Sequence, residues 1–202
     1  VHTGVAAPLL RNNIDTDAII PSREMKTVGK RGLAAGLFAG WRYRAPDSRE
    51  PDPDFVLNQP AYAGATILLG GTNFGCGSSR EHAVWALAEF GIRAILAPSF
   101  GSIFFGNCVR NGLLPVVLEA AHIQALADTL APDPQAHQLH IDLQQLTLRD
   151  PNGQLYPFSL ANGPRQMLLE GLDPIGLTLR EETAIRSFLA ADRARRPWVY
   201  HA

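Results

Sequence analysis

Cysteine is scarce in this chain, with two among 202 residues, Cys76 and Cys108, far apart and without a C-x-x-C pair. That excludes a disulfide framework and leaves no zinc-site spacing. An iron–sulfur cluster is normally held by several thiolates, so these two could not hold one alone. Charge is sparse as well: charged residues make up 18% of the chain, the formal net charge is -1, and no run of like charges occurs. Nothing therefore points to nucleic acid or an acidic membrane surface as a partner. No apolar run is long enough to span a bilayer. The opening Val1-His-Thr-Gly-Val-Ala-Ala-Pro8 has neither the charged nor the apolar region of a signal peptide, so a cytoplasmic location is expected by default. His122, His137, His140 and His201 fall in no metal-ligand spacing and read as surface residues. Repeats and low-complexity segments are missing too. What remains is an ordinary globular composition, 46% hydrophobic, long enough for one domain with a sizeable core.

The most informative stretch is Asn73-Phe-Gly-Cys-Gly-Ser-Ser-Arg-Glu-His82. Before it, Ala65-Thr-Ile-Leu-Leu-Gly70 reads as a short buried strand. After it, Ala83, Ala86, Leu87 and Phe90 recur at helical spacing. The order is strand, glycine-rich turn, helix. Gly75 and Gly77 give the backbone freedom to turn its amides toward a common point. Ser78 stands three residues before Glu81, the spacing of a capping box with Ser78 as N-cap. A helix start concentrates unpaired N–H groups and the positive end of the dipole, and Arg80 adds a forked cation beside them. A serine and a glutamate there would by themselves describe only a cap. Two glycines, two serines and an arginine together describe a place to hold a carboxylate, where the same amides would assist a deprotonated Ser78 acting as a base.

These residues resemble the signature of the small, swivelling domain of the aconitase superfamily, and the decapeptide as a whole is similar to that of the bacterial 3-isopropylmalate dehydratase small subunits. The resemblance continues through Asn13-Ile-Asp-Thr-Asp-Ala-Ile-Ile-Pro21, Pro53-Asp-Phe-Val-Leu-Asn58, Ala97-Pro-Ser-Phe100 with Ile103-Phe-Phe-Gly-Asn107, and Gly171-Leu-Asp-Pro-Ile-Gly-Leu-Thr-Leu179. It thus spans nearly the whole chain. It implies a single α/β domain over 1–202, a swivelling β/β/α domain like the C-terminal domain of aconitase, with a substrate loop at about 22–40 and a C-terminal helical extension at about 174–202. It also implies that Ser78 is a base, that Ser79 and Arg80 bind carboxylate, and that Asp17, the second aspartate of its motif, orients Arg80 or the Ser78 hydroxyl. Asp15 is a weaker candidate, since an aspartate in a turn commonly caps its own backbone.

The segment from Ser22 to Gly40 carries Arg23, Lys26, Lys30 and Arg31 among four glycines, the composition of a mobile connection before a short helix near Leu33 to Phe38. In the resembled family this region closes over substrate, which makes Lys30 and Arg31 candidate carboxylate contacts. Val28 and Leu33 are, by position, candidates to meet an alkyl group. Further on, Ile92 to Ala97 and Leu114 to Leu118 read as strands around a helix that stops at Asn111-Gly112, and strand–helix alternation predicts parallel pairing. Cys108, set among apolar residues, reads as buried, and Cys76 as exposed by its glycine-flanked turn. Residues 139–158 alternate around turns as a β-hairpin region, with helices expected at 120–130, 162–170 and 180–196.

The family's dehydration chemistry uses a [4Fe–4S] cluster. None is expected on this chain, so the resemblance implies a large, cluster-bearing partner subunit and a small dicarboxylate substrate. Two other readings share the same residues: a small subunit of a related hydro-lyase, such as a homoaconitase-like, citraconate or dimethylmalate dehydratase, and a non-catalytic carboxylate-binding module. The loop at 22–40 would distinguish the first, and ligand binding without a partner the second.

Overall fold

Strand-forming runs in this chain are short and apolar, and in the computed structural model, which describes residues 1–26, 29–77 and 80–200, they pair into two four-stranded sheets. β1 (His2–Gly4), β2 (Ala6–Leu9), α1 (Thr16–Ile19) and α2 (Ala39–Arg42) precede β3 (Ile67–Gly70). Then come α3 (Glu81–Phe90), β4 (Ala94–Ala97), α4 (Ser102–Arg110), β5 (Leu114–Val117) and α5 (Ala120–Leu130). The last third holds β6 (Leu139–Asp142), β7 (Thr147–Arg149), β8 (Leu155–Pro157), α6 (Asn162–Glu170), α7 (Pro174–Leu179) and α8 (Glu182–Arg195).

One sheet is parallel, in the order β2-β3-β4-β5, with Ala6 opposite Ile67, Leu68 opposite Ile95 and Leu96 opposite Val116. The other is antiparallel, in the order β1-β6-β7-β8. Side chains alternate across a strand, and the parallel sheet uses both faces. Leu68, Ile95 and Ala97 pack with Val84 and Leu87 of α3 and Phe104 and Cys108 of α4. Their neighbours Ile67, Leu69, Ala94 and Leu96 face the other way, toward Ile123 and Leu126 of α5 and Leu139, Ile141 and Leu148 of the antiparallel sheet. The layers are therefore helix, parallel sheet, and antiparallel sheet with α5, the β/β/α arrangement expected.

Prolines stand on three edge strands, Pro8 in β2, Pro115 in β5 and Pro157 in β8, where a missing N–H costs the ladder least and blunts the edge. The sequence reading missed β1 and β2 because each is short and weakly alternating, and β2 is recognisable only from its pairing with β3. Asp15 caps α1 by accepting from the Ala18 N–H at 2.7 Å, as a turn aspartate commonly does. A second difference lies at α3. This helix starts at Glu81, with Arg80 in extended conformation at the N-cap position, so Glu81 is the first helical residue and not the third that a capping box requires.

Close packing near the β3 turn leaves no room for a Cβ at Gly75. Gly75 has φ +75°, and a Cβ there would drive into the ring of buried Phe104. Gly112, at φ +73°, has open space around it. Gly75→Ala should lower stability by about 2–5 kcal/mol, the sum of a left-handed alanine and an overpacked core, whereas Gly112→Ala should cost about 1–2 kcal/mol. Thermal or urea denaturation of the two variants checks the difference, and equal losses would refute it.

Candidate functional site

Three loops leave the carboxyl ends of β2, β3 and β4, and main-chain bonds sew them together. Gly75 N–H donates to the Ile14 carbonyl (2.7 Å) and Thr16 N–H to the Cys76 carbonyl (3.0 Å), joining the first loop to the second. Phe74 N–H donates to the Ser99 carbonyl (3.0 Å) and Gly101 N–H to the Phe74 carbonyl (2.9 Å), joining the second to the third. Side chains add to the seam: the Ser99 hydroxyl accepts from Asn73 N–H, and Asn73 Nδ2 donates to Asn13 Oδ1, both at 2.9 Å. The carboxyl end of a parallel sheet is where open α/β folds place their ligands. Here it is also where α1, α3 and α4 begin.

Across this seam Asp17 of α1 meets Arg80. Asp17 Oδ1 lies 2.8 Å from Arg80 Nη1, an ion pair in which the Asp17 side chain is 55% exposed and the Arg80 side chain 30% exposed. Nη1 itself is shielded from solvent, and its N–H directions make no well-aligned hydrogen bond among the described residues. Such a guanidinium is oriented by one carboxylate and retains N–H groups for a second, which suits bidentate recognition of a carboxylate. Ser78 and Ser79, the remaining turn residues singled out from sequence, lie outside the described residues, as does Val28. Asp15 spends its side chain on capping α1.

Lys30, Arg31 and Leu33 occupy a different place. The chain at 32–35 is gripped on both its polar sides. The Glu89 carboxylate accepts from three successive amides, Gly32 (2.7 Å), Leu33 (2.5 Å) and Ala34 (2.9 Å). Arg42 donates to the Ala34 carbonyl (2.9 Å), while the Tyr43 hydroxyl (2.8 Å) and Arg49 (3.2 Å) donate to that of Ala35. Leu33 is driven into the core and has no exposed surface, so in this conformation it cannot touch a substrate's alkyl group. Phe38 anchors the far end: despite φ +49° it is fully buried, stacked on Trp41, with its N–H on the Ile19 carbonyl at 2.7 Å. The described part of 22–40 is thus a clasped turn, and the short helix expected at Leu33 to Phe38 is a single 3-10 turn, Ala34–Gly36, followed by α2.

Lys30 and Arg31 line a cleft of about 580 Å³ along α3, together with Trp85, Glu89, Asn111 and Leu172. Glu89 is nine residues beyond Arg80, roughly 13 Å down the helix axis. The structure therefore brings Asp17 and Arg80 together, while Arg31 acts on Glu89, further along α3. Trp85 and Glu89, which with Glu81 face this basic segment from α3, went unnoticed in the sequence, where Glu81 was read only as the capping-box partner of Ser78. Their signal was available as hydrogen-bonding side chains at a spacing of four, which share one helix face.

Cys108 is fully buried, and burial pushes its thiol well above the ordinary range. Cys76 is half-buried in the seam. This pair does not fit an iron–sulfur cluster, and among the described residues no three His, Cys, Asp or Glu side chains gather as a metal site. No helix of the described residues is long and apolar enough to cross a membrane.

Comparison with known proteins follows the same outline. The aconitase C-terminal domain family matches residues 1–121, so the layered fold and the turn bearing Arg80 are those of an aconitase-type swivelling domain. The C-terminal domain of the 3-isopropylmalate dehydratase small subunit matches residues 175–202. A 3-isopropylmalate dehydratase small subunit from Cupriavidus necator is 67% identical over 200 residues, covering 99% of this chain and 96% of the relative. Another, from Delftia acidovorans, is 50% identical over 208 residues, covering 100% and 95%. The crystal structure of 3-isopropylmalate dehydratase from Methanocaldococcus jannaschii superimposes with a TM-score of 0.66 at 28% identity, over 92% of this chain and 96% of that one. The chain belongs to the family of 3-isopropylmalate dehydratase small subunits.

The clasp at Glu89 carries a pH dependence. Hydrogen bonds from Gly32, Ala34 and Leu33 amides, the first foremost, hold its carboxyl below the usual range. A depressed carboxyl stabilises the fold above its unfolded value, about 4.3, and that contribution disappears as pH falls through the lowered native value. Hydrogen-exchange protection of the Gly32, Leu33 and Ala34 amides should therefore drop at acid pH in the native chain. Glu89→Gln should show weaker protection already at pH 7 and no acid step. A native protection profile independent of pH would refute the clasp.

Proposed function

We propose that this chain is the small subunit of a 3-isopropylmalate dehydratase, a hydro-lyase that interconverts 2-isopropylmalate and 3-isopropylmalate through 2-isopropylmaleate in leucine biosynthesis. The observation that carries this reading is the 67% identity to a small subunit of that name over 99% of the chain. The Arg80–Asp17 pair at the carboxyl end of the parallel sheet gives the reading a chemical basis.

Moving a hydroxyl between neighbouring carbons requires a base for a carbon-bound proton, an acceptor for the departing hydroxyl, and cations for the carboxylates. Arg80 grips one carboxylate with its fork while Asp17 keeps the guanidinium from turning away. Ser79 adds a hydrogen bond to the same group. Ser78 takes the carbon-bound proton during dehydration and returns one to carbon during rehydration, so the chain is restored each cycle. A serine hydroxyl is a feeble acid, and nearby amides and the Arg80 charge make its deprotonated form usable. Lys30 and Arg31 are the basic residues that serve the substrate from the neighbouring segment, and Val28 its alkyl group. The hydroxyl acceptor, a [4Fe–4S] cluster, belongs to a large partner subunit, since this chain has only two, widely separated cysteines and no metal-ligating group gathers among the described residues. The small chain is accordingly inactive by itself.

Anaerobic turnover of 2-isopropylmalate, followed by the absorbance of the unsaturated intermediate, tests the reading with this chain alone and with a cluster-loaded large subunit from the same source. Activity is expected only in the mixture. Silence there with an intact cluster would point to another dicarboxylate or to a binding module, and activity of the chain alone would overturn the split site.

Within the active assembly the two roles separate kinetically. Ser78→Ala should lower kcat by about 10²- to 10⁴-fold with KM nearly unchanged, as expected of a proton-transfer group. Arg80→Lys should chiefly raise KM, by roughly tenfold or more, because a point charge cannot reproduce the two-pronged contact. Near-normal kcat in the first variant, or unchanged KM in the second, would remove that residue from its role.

A further inference from the structure

Asn111 occupies the C-cap of α4 with φ -107° and ψ 14°, a conformation open to many residues, while Gly112 supplies the left-handed turn that ends the helix. The helix end thus takes from the Asn111 side chain only one bond, to the Asn107 carbonyl. Even so, its whole hydrogen-bonding capacity is used. Oδ1 accepts from Trp85 Nε1 at 2.9 Å and from Lys30 Nζ at 3.0 Å. Nδ2 donates to Glu81 Oε1 at 2.8 Å and to the Asn107 carbonyl at 2.9 Å. Two donors on one side and two acceptors on the other fix which way the amide points, since the flipped form would oppose donor to donor.

The three elements that meet here come from far apart in the chain. Lys30 belongs to the basic segment and also lies 5.3 Å above the Trp85 ring. Trp85 and Glu81 stand one turn apart on α3, and Glu81 directly follows Arg80. A lysine on a glycine-rich segment has many rotamers to lose, and one planar amide removes much of that freedom while tying the lysine to the helix turn that begins at Arg80.

We propose that Asn111 is a positioning residue of the dehydratase: its carboxamide sets the ammonium group of Lys30 against the start of α3, so that this second cation is presented to the substrate in register with Arg80. The inference rests on the dehydratase reading. Asn111 does not touch substrate; it acts through Lys30 and Glu81. Small misplacements of a binding group are costly because the reacting geometry tolerates little error.

A double-mutant cycle in the complete assembly, with the large subunit present, tests it. Asn111→Ala and Lys30→Met should each raise KM for 2-isopropylmalate about tenfold, the scale of a hydrogen bond to a charged group, with kcat changed less than about threefold. Because one acts through the other, the double variant should be no worse than the poorer single by more than about twofold. Effects that multiply, or an Asn111→Ala enzyme with native KM, overturn the inference while leaving the dehydratase reading intact. A native assembly without turnover overturns both. Should Asn111→Ala fail to fold, Asn111→Asp takes its place. A carboxylate there opposes Glu81, so KM should rise, and adding Glu81→Gln should bring it back to within about threefold of native; no recovery counts against the proposal.

Discussion

Four main-chain hydrogen bonds hold the functional end of this molecule together. They run from the β2 loop to the β3 turn at Gly75–Ile14 and Thr16–Cys76, and from that turn to the β4 loop at Phe74–Ser99 and Gly101–Phe74. Each buries a backbone group that would otherwise be costly to remove from water, so the three loops can leave the sheet only as a unit. Phe74 is the apolar counterpart of the seam. Fully buried, it touches the rings of Phe100 and Phe104, which tie the turn to the first residues of α4. Asp17 and Arg80 meet because the seam places α1 beside the start of α3, and neither residue has a local reason to face the other.

Holding a basic segment against α3 poses a different problem. Glycines at 29, 32, 36 and 40 make the unfolded segment entropically expensive to order, and its described residues form only the 3-10 turn Ala34–Gly36 before α2. The fold uses directed polar contacts in place of a ladder: Glu89 for the amides, Arg42, Tyr43 and Arg49 for the carbonyls, and Leu33 and Phe38 as buried anchors. Exposed hydrogen bonds of this kind are individually weak, but each ties the segment to an element that is itself packed in the core. The result is a segment held at its crest while the cations Lys30 and Arg31 line the cleft beside it. Arg80 and Lys30 thus approach α3 from separate surroundings, and the helix is the common frame.

Much of the layered core was legible in the amino-acid order because its determinants are local. The apolar runs at 67–70, 94–97 and 114–117, the helical periodicity at 83–90 and the stop at Asn111-Gly112 all act over a few residues, and the elements formed where those patterns lie. The two N-terminal strands were not legible, whereas the equally short β7 and β8 are marked by the turns that flank them. β1 is a three-residue strand that exists by pairing with β6, with His2 opposite Ile141, and β2 carries a proline that only an edge position tolerates. The capping box at Ser78 and Glu81 matched in spacing and still did not describe α3, because Arg80 stays extended and the helix begins one residue later.

The sequence by itself determined the parallel α/β core, the glycine-rich turn with its arginine, and the scarcity of cysteine that leaves no cluster ligand set, since periodicity, glycine freedom and ligand count need no knowledge of distant neighbours. Tertiary structure alone decided that Asp17 faces Arg80, that Leu33 is buried while Lys30 and Arg31 line a cleft, and that Asn111 joins Lys30 to Glu81. Those outcomes depend on contacts between residues tens of positions apart. Such contacts exist only once the sheet has brought its loops to one end, because a side chain's partner is set by the path of the backbone and not by its own chemistry.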